Sequence, residues 1–131
     1  MTVVDASAVI EMLLRTPLGV LCTDRLLRPG ELLCSPHLID VEVLQVLRRY
    51  AARAELSDDR GDEARKDLAD LPLQRYPHQP LLARIWELRR SLSAYDAAYV
   101  ALAEALDAPL VTCDGRLGRA HGHGARIEVL S

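Results

Sequence analysis

Residues Tyr95–Asp114 read YDAAYVALAEALDAPLVTCD, and this stretch decides the fold. Its first half is rich in Ala and Leu with no breaker, which predicts a helix opening near Asp96. Asp107-Ala108-Pro109 is a tight turn, and Leu110-Val111-Thr112-Cys113 is a short apolar strand that runs into Asp114. Two carboxylates therefore bracket one helix–strand unit. In a parallel sheet, Asp114 would emerge at the C-terminal edge, where open α/β sheets place their ligands.

The rest of the chain repeats the alternation. Thr2-Val3-Val4 is a short strand followed by Asp5-Ala6-Ser7 and a helix through Leu14, with Ser7 a candidate N-cap. Thr16-Pro17 caps a second helix, with Leu18, Leu21 and Cys22 along one face, and Pro29-Gly30 ends it. Leu32-Leu33-Cys34 is the second strand, and Ser35-Pro36 repeats the cap-then-Pro signature before a long helix to about Arg53. A polar, solvent-facing helix starts at Ser57-Asp58-Asp59 and is weakened by Gly61. Leu73–Tyr76 is a third strand. Leu81, Ile85, Leu88 and Leu92, with Trp86 beside them, mark an amphipathic helix ending near Leu92. Ser93 opens the helix of Asp96, and Arg126–Leu130 is a fifth strand after a Gly-rich loop. This order implies a parallel sheet with helices on both faces, and right-handed crossovers bring Asp5 and Asp114 to one edge. They are adjacent if strands one and four flank the reversal of strand order.

With 131 residues, half of them hydrophobic, the chain suits one folded domain spanning residues 1–131. No apolar run approaches a membrane span, and the first residues, MTVVDAS, lack a basic flank and apolar signal core, so a cytoplasmic protein is expected, with no membrane partner. Cys22, Cys34 and Cys113 have no C-x-x-C spacing and read as small buried hydrophobes. The net charge of −3 speaks weakly against nucleic acid, because acids that hold metal ions count as negative in the sum.

Taken singly, the acids have ordinary explanations. Asp5 and Asp114 suit turns or a helix dipole, and Ser93-x-x-Asp96 matches a capping box. Glu42 is harder to place on the surface. Its helical neighbours Leu38, Ile39 and Val46 are apolar, and charge on such a face needs a partner or a metal. Asp40 faces Pro36, His37, Val43 and Leu44, and periodicity leaves open which of the two acids reaches the site. Carboxylates gathered at one sheet edge repel unless protonated or bridged by a cation. All-oxygen ligation suits Mg²⁺ or Mn²⁺.

The segments VVDASAVIE (3–11), PHLIDVEVLQVLRR (36–49), LSAYDAAYVALAEAL (92–106) and APLVTCD (108–114) resemble the PIN-domain nucleases, most closely the VapC-type toxins of toxin–antitoxin pairs. The resemblance spans nearly the whole chain. It implies a three-layer α/β/α sandwich around a central, mostly parallel sheet of four to five strands. It also implies metal-dependent RNA hydrolysis, a homodimer and a cognate antitoxin protein. Carried over residue by residue, it assigns Asp5, Glu42 rather than Asp40, Asp96 and Asp114 as metal-binding catalytic acids, with Ser7 and Thr112 supporting them. Some PIN nucleases carry another acid soon after the fourth. Here Arg116 and Arg119 follow instead, which leaves open whether one or two ions bind.

Of the sixteen basic residues only Lys66 is not Arg, which fits phosphate recognition by bidentate pairing. Arg49, seven residues after Glu42 and on its face, is a candidate RNA contact together with Arg116 and Arg119. His121-Gly122-His123 lacks further ligands and reads as loop, as do His37 and His78. Two other readings compete. A phospho-acceptor receiver domain also gathers acids at strand ends, but needs a Lys at a late strand end, and Lys66 lies in the polar helix. A catalytically silent PIN-like module that binds RNA or protein would not need four intact acids.

Overall fold

Five short strands form one sheet in the computed structural model, which describes residues Met1–Ser131. They are β1 (Thr2–Val4), β2 (Leu33–Pro36), β3 (Leu73–Tyr76), β4 (Leu110–Thr112) and β5 (Ile127–Val129), in the order β3-β2-β1-β4-β5. Every pairing is parallel. The strand order reverses between β1 and β4, which places the ends of these two strands side by side.

The helices are α1 (Ala6–Leu14), α2 (Pro17–Leu26), α3 (Leu38–Ala52), α4 (Asp58–Asp70), α5 (Leu82–Glu87), α6 (Ala94–Leu106) and α7 (Gly115–Gly118). α1 to α4 pack on one another, while α5 packs on α6 and α6 on β1 and β2. Right-handed crossovers require this partition into two layers, because the chain travels in opposite directions across the sheet before and after β3. The architecture is thus the expected α/β/α sandwich, with a sheet that is parallel throughout.

α6 is the central helix. Ala97 to Ala103 are all buried, so small side chains let the backbone lie close against the sheet. It ends at Asp107 in the left-handed region, where the N–H groups of Asp107 and Ala108 reach back to the carbonyls of Glu104 and Ala103. α1 and α2 also pack closely. A Cβ on Gly19 would stand 2.0 Å from the Glu11 carbonyl oxygen, so only glycine fits there.

Some local readings are overturned. Ser35 and Pro36 do not cap α3 but end β2: Pro36 pairs in register with Tyr76, and the Ser35 hydroxyl donates to the Val4 carbonyl at 2.5 Å. Pro36 lacks an N–H to donate, and the following one, that of His37, continues the pairing to the Tyr76 carbonyl at 2.8 Å. His37 opens α3 without a side-chain cap. The helix expected to reach Leu92 stops at Glu87. Leu88 is buried at its end, and turns over residues 89–92 reverse the chain so that Ser93 can cap α6. Trp86 lies outside, stacked under the Arg89 guanidinium. Leu21 points outward rather than joining Cys22 in the core, since Gly19, Cys22 and Leu26 form the buried face of α2. No single helix is long and apolar enough to cross a membrane.

Candidate active site

Asp5 directly follows β1 and Asp114 lies just beyond β4, so neighbouring parallel strands deliver two carboxylates to one edge. α3 brings Glu42 and the first turn of α6 brings Asp96 to the same place. All four line a cavity of about 490 Å³, along with Ser7, Glu11, Arg49, Tyr99 and Arg116.

Asp5 is the anchor. Only 6% exposed, it is the N-cap of α1, a role expected of Ser7. One carboxylate oxygen accepts from the Ala8 N–H at 3.1 Å and the Ser7 hydroxyl at 2.7 Å, and the other from the Thr112 hydroxyl at 2.5 Å. Ser7 instead sits inside α1, where its oxygen also accepts the Cys113 N–H at 2.9 Å. The Thr112 oxygen accepts the Asp114 N–H, also at 2.9 Å. Each hydroxyl spends its one proton on Asp5, so Ser7 and Thr112 fix Asp5 and, through backbone N–H groups, the start of the segment carrying Asp114. Burial pushes the Asp5 carboxyl above its ordinary pKa, against the lowering effect of these three donors, and the charge of Asp96 raises it further.

Glu42 is half-buried and accepts a hydrogen bond from the Tyr99 hydroxyl at 2.5 Å. Its pKa is raised by burial first, and then by Asp96 and Asp5, with Tyr99 opposing. Asp40 is turned away. The Arg75 guanidinium on β3 holds it in a fork at 2.8–3.0 Å, so of the two acids in question α3 contributes Glu42 to the cavity. Asp96 occupies the third residue of α6, and its N–H donates to the Ser93 hydroxyl at 3.1 Å. This is one half of a capping box; no return bond from the Asp96 carboxylate to the Ser93 N–H forms. Burial and then the charge of Asp114 raise its pKa, while Arg116 lowers it.

Asp114 behaves oppositely. It caps α7, accepting the Arg116 N–H at 2.9 Å, and its other oxygen meets the Arg116 guanidinium at 3.0 Å. Arg116 therefore holds its carboxyl below the usual range. Arg49 lines the acid cavity, but Arg119 does not; it belongs to an adjoining one. Tyr99 and Glu11 were not legible as site residues. Tyr99 carried one signal, its i+3 spacing from Asp96 on α6, which puts both on one helix face.

A divalent cation fits this donor set in chemistry. Burial first, and then the charge of a neighbouring acid, raises the pKa of three of the four carboxylates, and a cation would relieve both the desolvation and the repulsion. No three side chains converge into a closed cage. The fit is to an open site in which water and substrate complete the coordination, as Mg²⁺ prefers. Elsewhere, His123 bonds the Ala120 carbonyl and the Ala125 N–H within its own loop, as expected for a loop residue. Cys22 and Cys34 are buried, and Cys113, half-buried, lies 3.4 Å from Cys22, sulfur to sulfur.

Comparison with known proteins agrees with this architecture. The PIN domain family model matches residues 2–122. Ribonuclease VapC12 of Mycobacterium tuberculosis is 43% identical over 131 residues, the full length of both chains. Among solved structures, VapBC2 from Rickettsia felis, bound to a DNA fragment from its promoter, superposes with a TM-score of 0.71 at 13% identity, covering 99% of this chain and 98% of that one. A toxin–antitoxin complex from Klebsiella pneumoniae gives a TM-score of 0.65 at 16% identity and 87% coverage of both chains. At these identities the structures speak for the fold alone. This match also removes the receiver-domain reading, and Lys66 sits on α4 paired with Asp62. Its sheet order, its acids at the β1 and β4 ends and its full-length relatives together establish that the chain belongs to the PIN-domain family, among the VapC-type members.

Proposed function

We propose that the chain, as one domain over residues 1–131, is a metal-dependent endoribonuclease and the toxin of a toxin–antitoxin pair. The observation that carries this reading is the convergence of Asp5, Glu42, Asp96 and Asp114, from four separate elements, on one cavity. The ribonuclease named above, identical at 43% of positions along the entire chain, supports RNA as substrate.

A bound Mg²⁺ or Mn²⁺ would supply charge neutralisation at the scissile phosphate and lower the pKa of a water that serves as nucleophile. Asp5, Glu42, Asp96 and Asp114 would hold that ion, directly or through water. Ser7, Thr112 and the Ala8 N–H keep the Asp5 carboxylate oriented. Tyr99 does the same for Glu42, holding it by one strong hydrogen bond from a buried phenol. Arg49 and Arg116 line the cavity as candidate phosphate contacts, with Arg119 beside them. Because water attacks, the RNA 2′-hydroxyl is not consumed, and the products are a 5′-phosphate and a 3′-hydroxyl. A cognate antitoxin is the expected protein partner, and a second copy of this chain the other.

The test is cleavage of RNA with Mg²⁺ or Mn²⁺, repeated with chelator and with Asp5→Asn and Asp96→Asn. Chelator and each substitution should abolish cleavage. Activity that survives both, or products ending in 2′,3′-cyclic phosphate, would overturn the mechanism.

A further inference from the structure

A second cavity, of about 670 Å³, adjoins the acid cavity and shares Asp96 and Arg116 with it. Its composition is reversed. Arg90, Arg116, Arg119 and His121 line it beside Ser91 and Ser93, and Asp96, at the shared wall, is its one acid. Arg90 comes from the turn before α6, and Arg116 and Arg119 from α7 and its end, so the C-terminal edge of the sheet is flanked by guanidinium groups from two separate elements.

Arg116 is paired with Asp114, whereas Arg90 and Arg119 are the two arginines of this cavity without a carboxylate partner, a condition they share with Arg28, Arg48, Arg49, Arg53 and Arg89 elsewhere. Arg15, Arg25, Arg60, Arg65, Arg75, Arg84 and Arg126 each lie within 4 Å of a carboxylate. Arg90 and Arg119 have no carboxylate at that distance, and both are exposed. Arg119 lies back over the start of α7, its guanidinium nitrogen 3.3 Å from where a Cβ on Gly115 would stand. Cations without a carboxylate partner, in a concave site beside a cluster of acids, favour the approach of a polyanion that the acids alone would repel.

We propose that this cavity is a second-phosphate subsite: Arg90 and Arg119 seat the RNA backbone phosphate next to the scissile one, with Arg116 on the boundary between the two. The inference rests on the ribonuclease reading and adds to it a binding site for substrate outside the acid cavity. Arg90 and Arg119 are positioning residues. They hold ground state and transition state alike, so their loss raises KM and leaves kcat nearly unchanged.

The experiment measures binding of a fluorescent single-stranded RNA across a chloride series, in a Glu42→Gln background so that the RNA stays intact. For single strands each lost phosphate contact flattens the slope of log K against log salt by about 0.7, so Arg90→Gln/Arg119→Gln should flatten it by about 1.4. Arg65→Gln, on α4 and paired with Asp62, should leave the slope as it was. In the active background the double variant should raise KM about tenfold at unchanged kcat. Thermal melts check that both variants are folded. An unaltered slope in the double variant, while the parent binds RNA and the wild type cleaves it, overturns the subsite and leaves the ribonuclease reading standing. Absence of both binding and cleavage in the parent proteins overturns the two together.

Discussion

The bond between Tyr99 and Glu42 allows a quantitative test of how the site is held. Tyr99 is 1% exposed, and its hydroxyl donates to a half-buried carboxylate at 2.5 Å. Tyr99→Phe removes one oxygen, opens almost no space, and leaves Glu42 without its donor. A hydrogen bond to a charged group contributes about 1.5–3 kcal/mol, and a buried acceptor left unsatisfied costs about 1–3 kcal/mol. With Glu42 still partly reachable by water, a loss of about 1.5–2 kcal/mol at neutral pH is expected. The sign of its pH dependence follows from the same contact. Tyr99 lowers the Glu42 pKa against burial, so in Tyr99→Phe that pKa rises further. The folded variant then binds the Glu42 proton more tightly than the folded wild type. Its deficit is therefore largest where Glu42 is ionised in both proteins, and it shrinks as pH falls and the carboxyl becomes neutral. Urea unfolding of both proteins without metal, at pH 7.5 and at pH 4.5, reads the two deficits. A difference below about 0.5 kcal/mol at pH 7.5, or one that does not shrink at pH 4.5, would refute the view that this phenol holds an ionised Glu42.

Other consequences follow from the same geometry. Asp96 has a raised pKa, so the folded protein holds its proton more tightly than the unfolded chain does, and this group costs stability as pH rises past the ordinary carboxylate range. Asp96→Asn should therefore make the metal-free protein about 0.5–1 kcal/mol more stable at neutral pH and no more stable in acid, which urea melts at both pH values will show. Arg116 occupies Asp114 through three contacts and competes with any cation there, so calorimetric titration should find Arg116→Gln binding Mn²⁺ about two- to fivefold more tightly than the wild type. Unchanged or weaker binding would mean that Asp114 is no ligand. Gly19→Ala drives a Cβ into the Glu11 carbonyl and should cost at least about 2 kcal/mol by forcing α1 and α2 apart, against a thermal melt of the wild type.

The sequence by itself determined the alternation of strands and helices, and with it the edge at which Asp5 and Asp114 appear. Both depend on local pattern: apolar runs closed by an acid, and a helix of small residues between turn and cap. Asp96 was legible for the same reason, through Ser93. What only the tertiary structure decided depends on neighbours remote in the chain. On α3, Asp40 and Glu42 are about 200° apart, so the helix can turn just one of them toward the site. Periodicity left the two open and the family resemblance pointed to Glu42, but the physical reason is tertiary: Arg75 on β3 takes Asp40, and Tyr99 on α6 takes Glu42. Ser35-Pro36 matches a helix start locally as well as a strand end, and pairing with Tyr76 settled it. The division of the arginines was hidden for a similar reason. A residue seven places from an acid, or two, shows nothing of its ion pairs, and only packing leaves Arg90 and Arg119 unpaired beside the acid cavity while Arg116 closes on Asp114.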